Sequence, residues 1–185
     1  MDLRHNPLVQ KAYANPRLKQ NIANSGTMFL YCDYAGFASQ NVHGIACCTV
    51  FNHSVGLYAK RLPLISDHGS VYGELMAVLF SLETLAASAA AGECEHLPKI
   101  AVIYSDCSRI SHLLAQEQIT HAEVARGREE LLAALTRIND SFPRLRVQIK
   151  YISRHKQNNY LHRLAHNAAR EAALAGEAQQ DPPIL

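Results

Sequence analysis

Three acidic residues in this chain of 185 residues stand where their carboxylates can act together. Asp33 follows the apolar run 28–32, Asp106 follows the apolar run 99–104, and Glu74 opens a long apolar helix pattern. A carboxylate next to a buried strand is costly unless a cation meets it. Carboxylate oxygens with open coordination positions suit magnesium or manganese, and these ions support phosphodiester hydrolysis. The three acids therefore predict a metal site.

Each acid also has an ordinary structural explanation when it is considered alone. Asp33 can start a turn, Glu74 favours a helix N-terminus through the helix dipole, and Asp106 can cap the helix that follows it. The metal-site interpretation requires all three acids to lie at one edge of a sheet. Strand ends and the adjacent helix starts do form the usual ligand crevice of open α/β sheets.

The periodicity of apolar residues predicts the elements that would position these acids. Period-two or continuous apolar runs indicate strands, whereas apolar residues at helical spacing indicate helices. Strands are expected at 28–34, 43–51, 55–62, 99–104 and 144–152, and helices at 71–91, after 106, at 124–138 and at 160–173. This order predicts an α/β domain with a five-stranded mixed sheet, three antiparallel strands followed by two parallel ones, flanked by helices.

The domain is expected to cover residues 27–175, between an N-terminal extension at 1–26 and a disordered tail at 176–185. The extension is interpreted as a solvated arm or as a segment packed on the domain. Its four basic residues leave phosphate contact as an alternative; they are Arg4, Lys11, Arg17 and Lys19.

Composition narrows the class of protein without identifying a partner. An apolar content of 48% with 18% charged residues is typical of globular domains, and a net charge of +2 permits nucleic acid as a partner without indicating it. The five cysteines lack the spacing of a disulfide framework. Cys94 near His96 is interpreted as structural rather than metal-binding. With no apolar leader or span recognised, we expect a cytoplasmic protein that is not bound to a membrane.

Four short motifs carry a resemblance to a known family. They are Tyr31-Cys32-Asp33-Tyr34-Ala35, Gly73-Glu74-Leu75-Met76-Ala77, Tyr104-Ser105-Asp106-Cys107, and Arg154 followed by Asn158-Asn159-Tyr160-Leu161-His162-Arg163-Leu164-Ala165. Across about residues 28–174 the chain resembles a ribonuclease H domain of the retroviral-integrase-like superfamily. The resemblance implies the ribonuclease H-like fold.

The resemblance also implies an activity and a set of metal ligands. Family members are endonucleases that cut the RNA strand of RNA–DNA hybrids. By this resemblance Asp33, Glu74 and Asp106 bind two Mg²⁺ or Mn²⁺ ions, with Asp33 bridging them. One ion would activate the attacking water, and the other would stabilise the leaving 3′ oxygen. Contacts to 2′-hydroxyl groups would distinguish the RNA strand.

One position departs from the family pattern. The fourth ligand is usually Asp, whereas the matching residue is His162, which is expected to bind metal as an imidazole and to favour manganese. The alternative is a site that has lost one metal. His155 lies in the connection where relatives carry a loop histidine, closer to the fourth ligand than usual. His166, one helical turn after His162, is either a neighbour of the site or a structural residue.

Polar and basic residues around the fourth motif are expected to contact nucleic acid; they are Arg154, Lys156, Asn158 and Arg163. Two other functions stay open. The first is a nucleic-acid-binding or protein-interaction scaffold with weak or lost nuclease activity, and the second is a nuclease of the same fold with another substrate. The sequence does not indicate an oligomeric state.

Overall fold

The computed structural model describes residues 3–63, 69–90 and 97–175. The expected tail 176–185 and the Cys94–His96 pair lie outside this part of the chain. The α-helices are α1 (Pro7–Ala14), α2 (Pro16–Ala23), α3 (Gly69–Ala90), α4 (Ile110–Ala115), α5 (Ala122–Ser141) and α6 (Tyr160–Leu174). The strands are β1 (Thr27–Phe37), β2 (Val42–Phe51), β3 (Ser54–Leu62), β4 (Ile100–Ser105) and β5 (Arg146–Tyr151), and 3₁₀ helices span Leu3–His5 and Ser153–Asn158.

The strands form one five-stranded sheet in the order β3-β2-β1-β4-β5. The pairs β1–β2 and β2–β3 are antiparallel, whereas β1–β4 and β4–β5 are parallel. The β2–β3 hairpin turns at Asn52 and His53, which both have positive φ (45° and 65°), as a tight two-residue hairpin requires. The expected α/β class and mixed sheet are therefore confirmed.

Strand β1 is longer than the sequence indicated. The expected strand 28–34 ended just after Asp33, but β1 continues to Phe37, which pairs with Val42 of β2. The prediction was wrong because the small residues after Asp33 resemble a turn, although they fit equally well in a strand. The parallel pairing of β1 with β4 does stop early, at Tyr31 opposite Tyr104. Asp33 thus lies just beyond the point where β1 and β4 separate.

Helices cover both faces of the sheet. Helices α3, α4 and α5 bury one apolar core, whose members include Leu30, Leu75 and Ile103. Helices α1, α2 and α6 bury the other, against residues such as Tyr31, Ala46 and Cys48. Helix α3 is long and apolar enough to cross a membrane by composition alone. Its packing against both the sheet and α5 accounts for that composition.

The N-terminal segment is packed on the domain. Asn6 and Asn15 act as N-caps, with side-chain oxygens that accept hydrogen bonds from Leu8 N and from Arg17 N and Leu18 N, respectively. Each Asn-Pro pair therefore begins a helix, because proline is well tolerated at the first helical position. Four buried side chains anchor α1 and α2 in the core shared with α6: Val9, Ala12, Leu18 and Ile22.

Helix α6 approaches β2 closely because Gly44 has no side chain. A Cβ atom built at Gly44 would lie 2.2 Å from the carbonyl oxygen of Ala169 and 2.5 Å from the amide nitrogen of Ala173. Both contacts are backbone atoms, which cannot rotate away. The position of α6 on the sheet therefore depends on Gly44.

We expect Gly44→Ala to lower the free energy of unfolding by about 2–3 kcal/mol, since the added methyl group overpacks the α6–β2 contact. Urea denaturation followed by circular dichroism measures this loss. Gly26→Ala is the matched control, because a Cβ atom there would meet only Asn24 Oδ1, at 3.7 Å. Equal stability of the two variants would contradict this account of α6.

Candidate active site

Asp33 is the buried centre of the site. Its side chain is 2% exposed, and both of its carboxylate oxygens face histidines of α6. His166 Nδ1 lies 2.7 Å from Asp33 Oδ2, and His162 Nε2 lies 3.4 Å from Asp33 Oδ1. The two histidines share a helix face because they are four residues apart. His166 is thus a neighbour of the site, one of the two alternatives that the sequence left open.

Asp106 and Glu74 reach the same region from the other elements. Asp106 directly follows β4, and its Oδ2 pairs with the ammonium group of Lys156. Glu74 comes from the second turn of α3 rather than the expected first turn. Its Oε2 accepts a hydrogen bond of 3.3 Å from Ser105 Oγ, and its carboxyl group is hydrogen-bonded to Asp106. The three predicted acids therefore lie together.

Three of the predicted ligands have the geometry of a metal site. One ligand atom from each of Asp33, Asp106 and His162 lies within 4.8 Å of the other two. Glu74 stands beside this group without belonging to it. His162 Nε2 is buried and has no hydrogen-bond partner among the described residues, although Asp33 is near. A bare nitrogen facing two carboxylates suits a divalent cation, so the residues fit a metal.

Burial and mutual repulsion shift the acid–base properties of these groups. Burial, helped by the charge of Asp106, raises the pKa of Asp33 to about 6 and that of Glu74 to about 9. Burial lowers the pKa of His162 to about 4, so its imidazole is neutral near pH 7 and can act as a ligand. Burial would also raise the pKa of Asp106, but Lys156 outweighs it and lowers that pKa.

The expected nucleic-acid contacts are distributed around the site. Lys156 pairs with Asp106 rather than pointing away from the acids, and Arg163 is exposed on α6. Asn158 is exposed at the end of the 3₁₀ segment before α6. The side chains of Arg154 and His155 lie outside the described part of the structure.

Sequence reasoning missed one contact that positions Glu74. The ring of Tyr34 packs on Gly73, where an added Cβ atom would lie 2.4 Å from two ring carbons. Helix α3 can therefore approach β1 only because Gly73 precedes Glu74. The Tyr34 hydroxyl is held in turn by His43 Nδ1 at 2.7 Å. A glycine inside a strong helix pattern was the available signal.

Comparisons with known proteins support the fold. No protein-family model and no curated protein sequence matches the chain. Its structure is similar to RNase H1 from Halobacterium salinarum, with a TM-score of 0.57, 16% identity and coverage of 80% of this chain and 97% of that one. It is also similar to the N-terminal RNase H domain of a Mycobacterium tuberculosis protein, with a TM-score of 0.55 and 14% identity. That match covers 80% of this chain and 97% of the other one.

A third similar structure is that of LC11-RNase H1 in complex with an RNA/DNA hybrid, with a TM-score of 0.52 and 14% identity over 78% of this chain and 98% of that one. The enzyme was isolated from compost by a metagenomic approach. At these identities the likeness establishes the fold, which is ribonuclease H-like. The expected ribonuclease H-like fold is confirmed on this basis.

The raised pKa of Glu74 predicts how stability depends on pH. Because the folded state binds this proton more tightly, Glu74 costs stability progressively as the pH rises from about 4.5 to about 9. Glu74→Gln removes that cost. We expect the metal-free variant to gain at least about 1 kcal/mol over the wild type between pH 5 and pH 9, roughly 2–4 °C in Tm for a chain of this size.

Thermal unfolding in the presence of a chelator at several pH values measures this difference. Glu83→Gln is the control, since Glu83 lies on the same helix, is half-exposed and pairs with Lys60 at the surface. A Tm difference between Glu74→Gln and the wild type that does not change with pH would contradict the buried-acid interpretation.

Metal binding is expected to stabilise the protein directly. A divalent ion that binds only the folded state at 100 times its Kd adds about 2.7 kcal/mol. We therefore expect Mn²⁺ to raise the Tm of the wild type at pH 8, and to raise it less at pH 5, where protons compete for Asp33 and Glu74. Isothermal titration calorimetry gives the number of ions bound.

Asp33→Asn should abolish the rise in Tm caused by Mn²⁺. The control is Asp140→Asn, since Asp140 is an exposed acid on α5. An equal Mn²⁺ effect in the wild type and in Asp33→Asn would exclude the proposed metal site.

Proposed function

We propose that the protein is a metal-dependent endonuclease that hydrolyses the RNA strand of RNA–DNA hybrids. The cluster of Asp33, Asp106 and His162, with a buried imidazole nitrogen that lacks a hydrogen-bond partner, carries this proposal. It lies where β1 and β4 separate, at the end of β4, and the carboxyl ends of strands are where ligand crevices form in α/β sheets. Support for the substrate comes from the similar LC11-RNase H1 structure, whose ligand is an RNA/DNA hybrid.

The residues of the chain fit this chemistry in distinct ways. Asp33, Asp106 and His162 would hold Mg²⁺ or Mn²⁺, with Glu74 completing the acidic side. Two such ions, when bound, supply an activated water and charge compensation at the leaving 3′ oxygen. His166 donates from Nδ1 to Asp33 Oδ2, which fixes the orientation of that carboxylate.

Lys156 connects the acids with the approaching substrate. Its side chain is 49% exposed, so its ammonium reaches Asp106 from the solvent side. A phosphate of the substrate would approach from this side. Because an exposed ion pair contributes little free energy, the Lys156 ammonium group can leave Asp106 and bind a phosphate oxygen instead. We extend this proposal to the exposed Arg163 and to Arg154 as contacts to the nucleic-acid backbone.

Two features support a second candidate function, a nucleic-acid-binding or protein-interaction scaffold with weak or lost nuclease activity. With His162 in place of a fourth carboxylate, the site has one negative charge fewer. Lys156 neutralises Asp106. Both features weaken the attraction for cations.

The four described cysteines are free, and we infer the cytoplasm as the compartment that keeps them reduced.

A cleavage assay distinguishes the candidate functions. RNA–DNA hybrid, double-stranded RNA and double-stranded DNA are each incubated with Mg²⁺ or Mn²⁺. We expect the hybrid to be cut and Asp33→Asn to lower kcat at least about 100-fold, because even residues that only orient metal ligands contribute roughly 10- to 100-fold. An uncut hybrid with either metal favours the scaffold, and cutting of another substrate favours a nuclease of different specificity.

The role of His162 has its own test. His162→Ala is expected to lower kcat less than Asp106→Asn does, since it removes a neutral ligand and leaves all three acids in place. Higher Mn²⁺ concentrations should partly restore its activity if the lost imidazole was a ligand. Wild-type activity in His162→Ala would remove this residue from the metal site.

A further inference from the structure

A second concave site lies beside the carboxylates, between α2, the middle of β1, the end of β4, and the segment that leads into α6. It has a volume of about 100 Å³. We refer to it as the α2 pocket; its lining residues are Asn15, Arg17, Leu18, Asn21, Tyr31, Tyr104, Ile152, Asn158 and Asn159. The N-terminal segment, which the proposed chemistry does not use, provides one complete wall.

Two hydrogen-bond donors of this pocket remain available, the amino group of Asn15 and the guanidinium of Arg17. The side-chain oxygen of Asn15 accepts from Arg17 N and Leu18 N, and that of Asn159 accepts from His162 N. Because the carbonyl oxygen of Asn15 is occupied as a helix cap, its amino group is left for another partner, whereas Asn21 and Asn159 are both hydrogen-bonded to the Tyr31 hydroxyl. Arg17 adds the single charge of the lining, and no carboxylate is among the lining residues. Such a lining favours an anion.

The guanidinium of Arg17 is available for that anion. Its side chain is exposed, and it forms no salt bridge within residues 3–63, 69–90 and 97–175. Arg is the residue best suited to planar, two-pronged recognition of phosphate. The adjacent Asn158 is exposed at the pocket rim and offers a further amide.

The pocket wall also offers a flat aromatic surface. Tyr104 is partly exposed and lies parallel to Tyr31, with ring centroids 5.4 Å apart and an interplanar angle of 17°. Next to Tyr104 in the sheet is Lys150 of β5, which is exposed and on the same face because the two residues are paired in register. Aromatic and basic side chains together are typical of surfaces that bind a nucleic-acid strand.

The distance from the pocket to the acids is short and fixed by the strands. Tyr31 precedes Asp33 by two residues on β1, so the two side chains lie on one face about 6.6–6.8 Å apart along the strand. Tyr104 precedes Asp106 by two residues at the end of β4, and Asn159 caps the helix that carries His162. This spacing is comparable to that between neighbouring phosphates in one nucleic-acid strand.

We propose that the α2 pocket binds an internucleotide phosphate of the strand that is cut, one nucleotide away from the scissile phosphate, with Arg17 and Asn158 as its positioning residues. This inference rests on the proposed nuclease function. It assigns to the N-terminal segment a role in placing the strand over Asp33 and Asp106.

The test compares Arg17→Ala with Lys19→Ala, which removes the same charge from an exposed residue of α2 that does not line the pocket. Binding of RNA–DNA hybrid is measured by fluorescence anisotropy over a range of salt concentrations, in an Asp33→Asn background that prevents cutting. We expect Arg17→Ala to weaken binding about tenfold and to reduce the salt slope by about 1, as for one lost phosphate contact. Arg17→Lys should retain part of the affinity, and Lys19→Ala should bind like the parent.

Neutral phosphates identify the position. Hybrids are prepared in which one phosphate at a time is replaced by a methylphosphonate. We expect a single replacement next to the cleavage position to weaken binding by the parent about tenfold and to have no further effect in Arg17→Ala. Thermal melting confirms that the variants are folded, and Asn158→Ala provides a second pocket variant with the same expected loss at that position.

The outcomes separate the two proposals. If the wild type cuts hybrid and Arg17→Ala binds every hybrid as its parent does, the pocket assignment is wrong and the nuclease function stands. Equal losses in Arg17→Ala and Lys19→Ala would likewise overturn the pocket, since general charge attraction would then explain both. A wild type that neither binds nor cuts hybrid overturns the nuclease function, and the phosphate subsite with it.

Discussion

The burial of the Asp33 carboxylate is the constraint on which the site depends. The charged side chain of Asp33 is only 2% exposed in the sheet and needs a polar partner. Helix α6 provides two, His166 Nδ1 at 2.7 Å and His162 Nε2 at 3.4 Å from the carboxylate oxygens. That helix can lie so close only because Gly44 lets the backbone of α6 rest on β2. A packing feature on one strand thereby determines which side chains meet a carboxylate on the next. The catalytic chemistry proposed for Asp33 therefore begins with the packing of a helix.

The meeting of the other acids follows from the way the sheet opens. Strands β1 and β4 stop pairing at Tyr31 and Tyr104, so the residues beyond them are free to face a common space. Helix α3 brings Glu74 to that space from the opposite face, where Gly73 accommodates the ring of Tyr34. Close carboxylates raise one another's pKa, and a divalent cation relieves this repulsion more effectively than one lysine can. The repulsion between the carboxylates lowers the free energy of unfolding, and a bound metal ion would offset that loss.

His162 gives the site a character different from that of four carboxylates. Its imidazole is buried and neutral near pH 7, and its Nε2 atom has no hydrogen-bond partner among the described residues. Such a nitrogen binds a metal without adding negative charge, which reduces the demand for a second cation. Basic and hydrogen-bond-donating groups outside the acidic cluster would then contribute more of the affinity for the substrate. The α2 pocket, with Arg17 and its amides, is placed to do so.

Local pattern was enough for much of the fold. The alternation in β5, the continuous apolar strands and the helical spacing of α3 each reflect burial on known faces, and their order determined the mixed sheet. The three acids were recognisable because each stands next to an apolar run of the sequence. The expected end of β1 just after Asp33 was wrong, since small residues allow strand or turn equally and only pairing with β2 decides between them. The amino-acid sequence therefore determined the elements and the candidate ligands.

Tertiary structure decided the contacts that no local pattern contains. His166 meets Asp33 across 133 positions of sequence, and Lys156 meets Asp106 because its 3₁₀ segment follows β5, the strand that pairs with β4. The helices of the N-terminal segment were hidden by proline, which ends helices and begins them alike. Their packing against the sheet created the α2 pocket. Such contacts depend on how helix faces dock, and docking is set by the shape of the whole core rather than by neighbours in the chain.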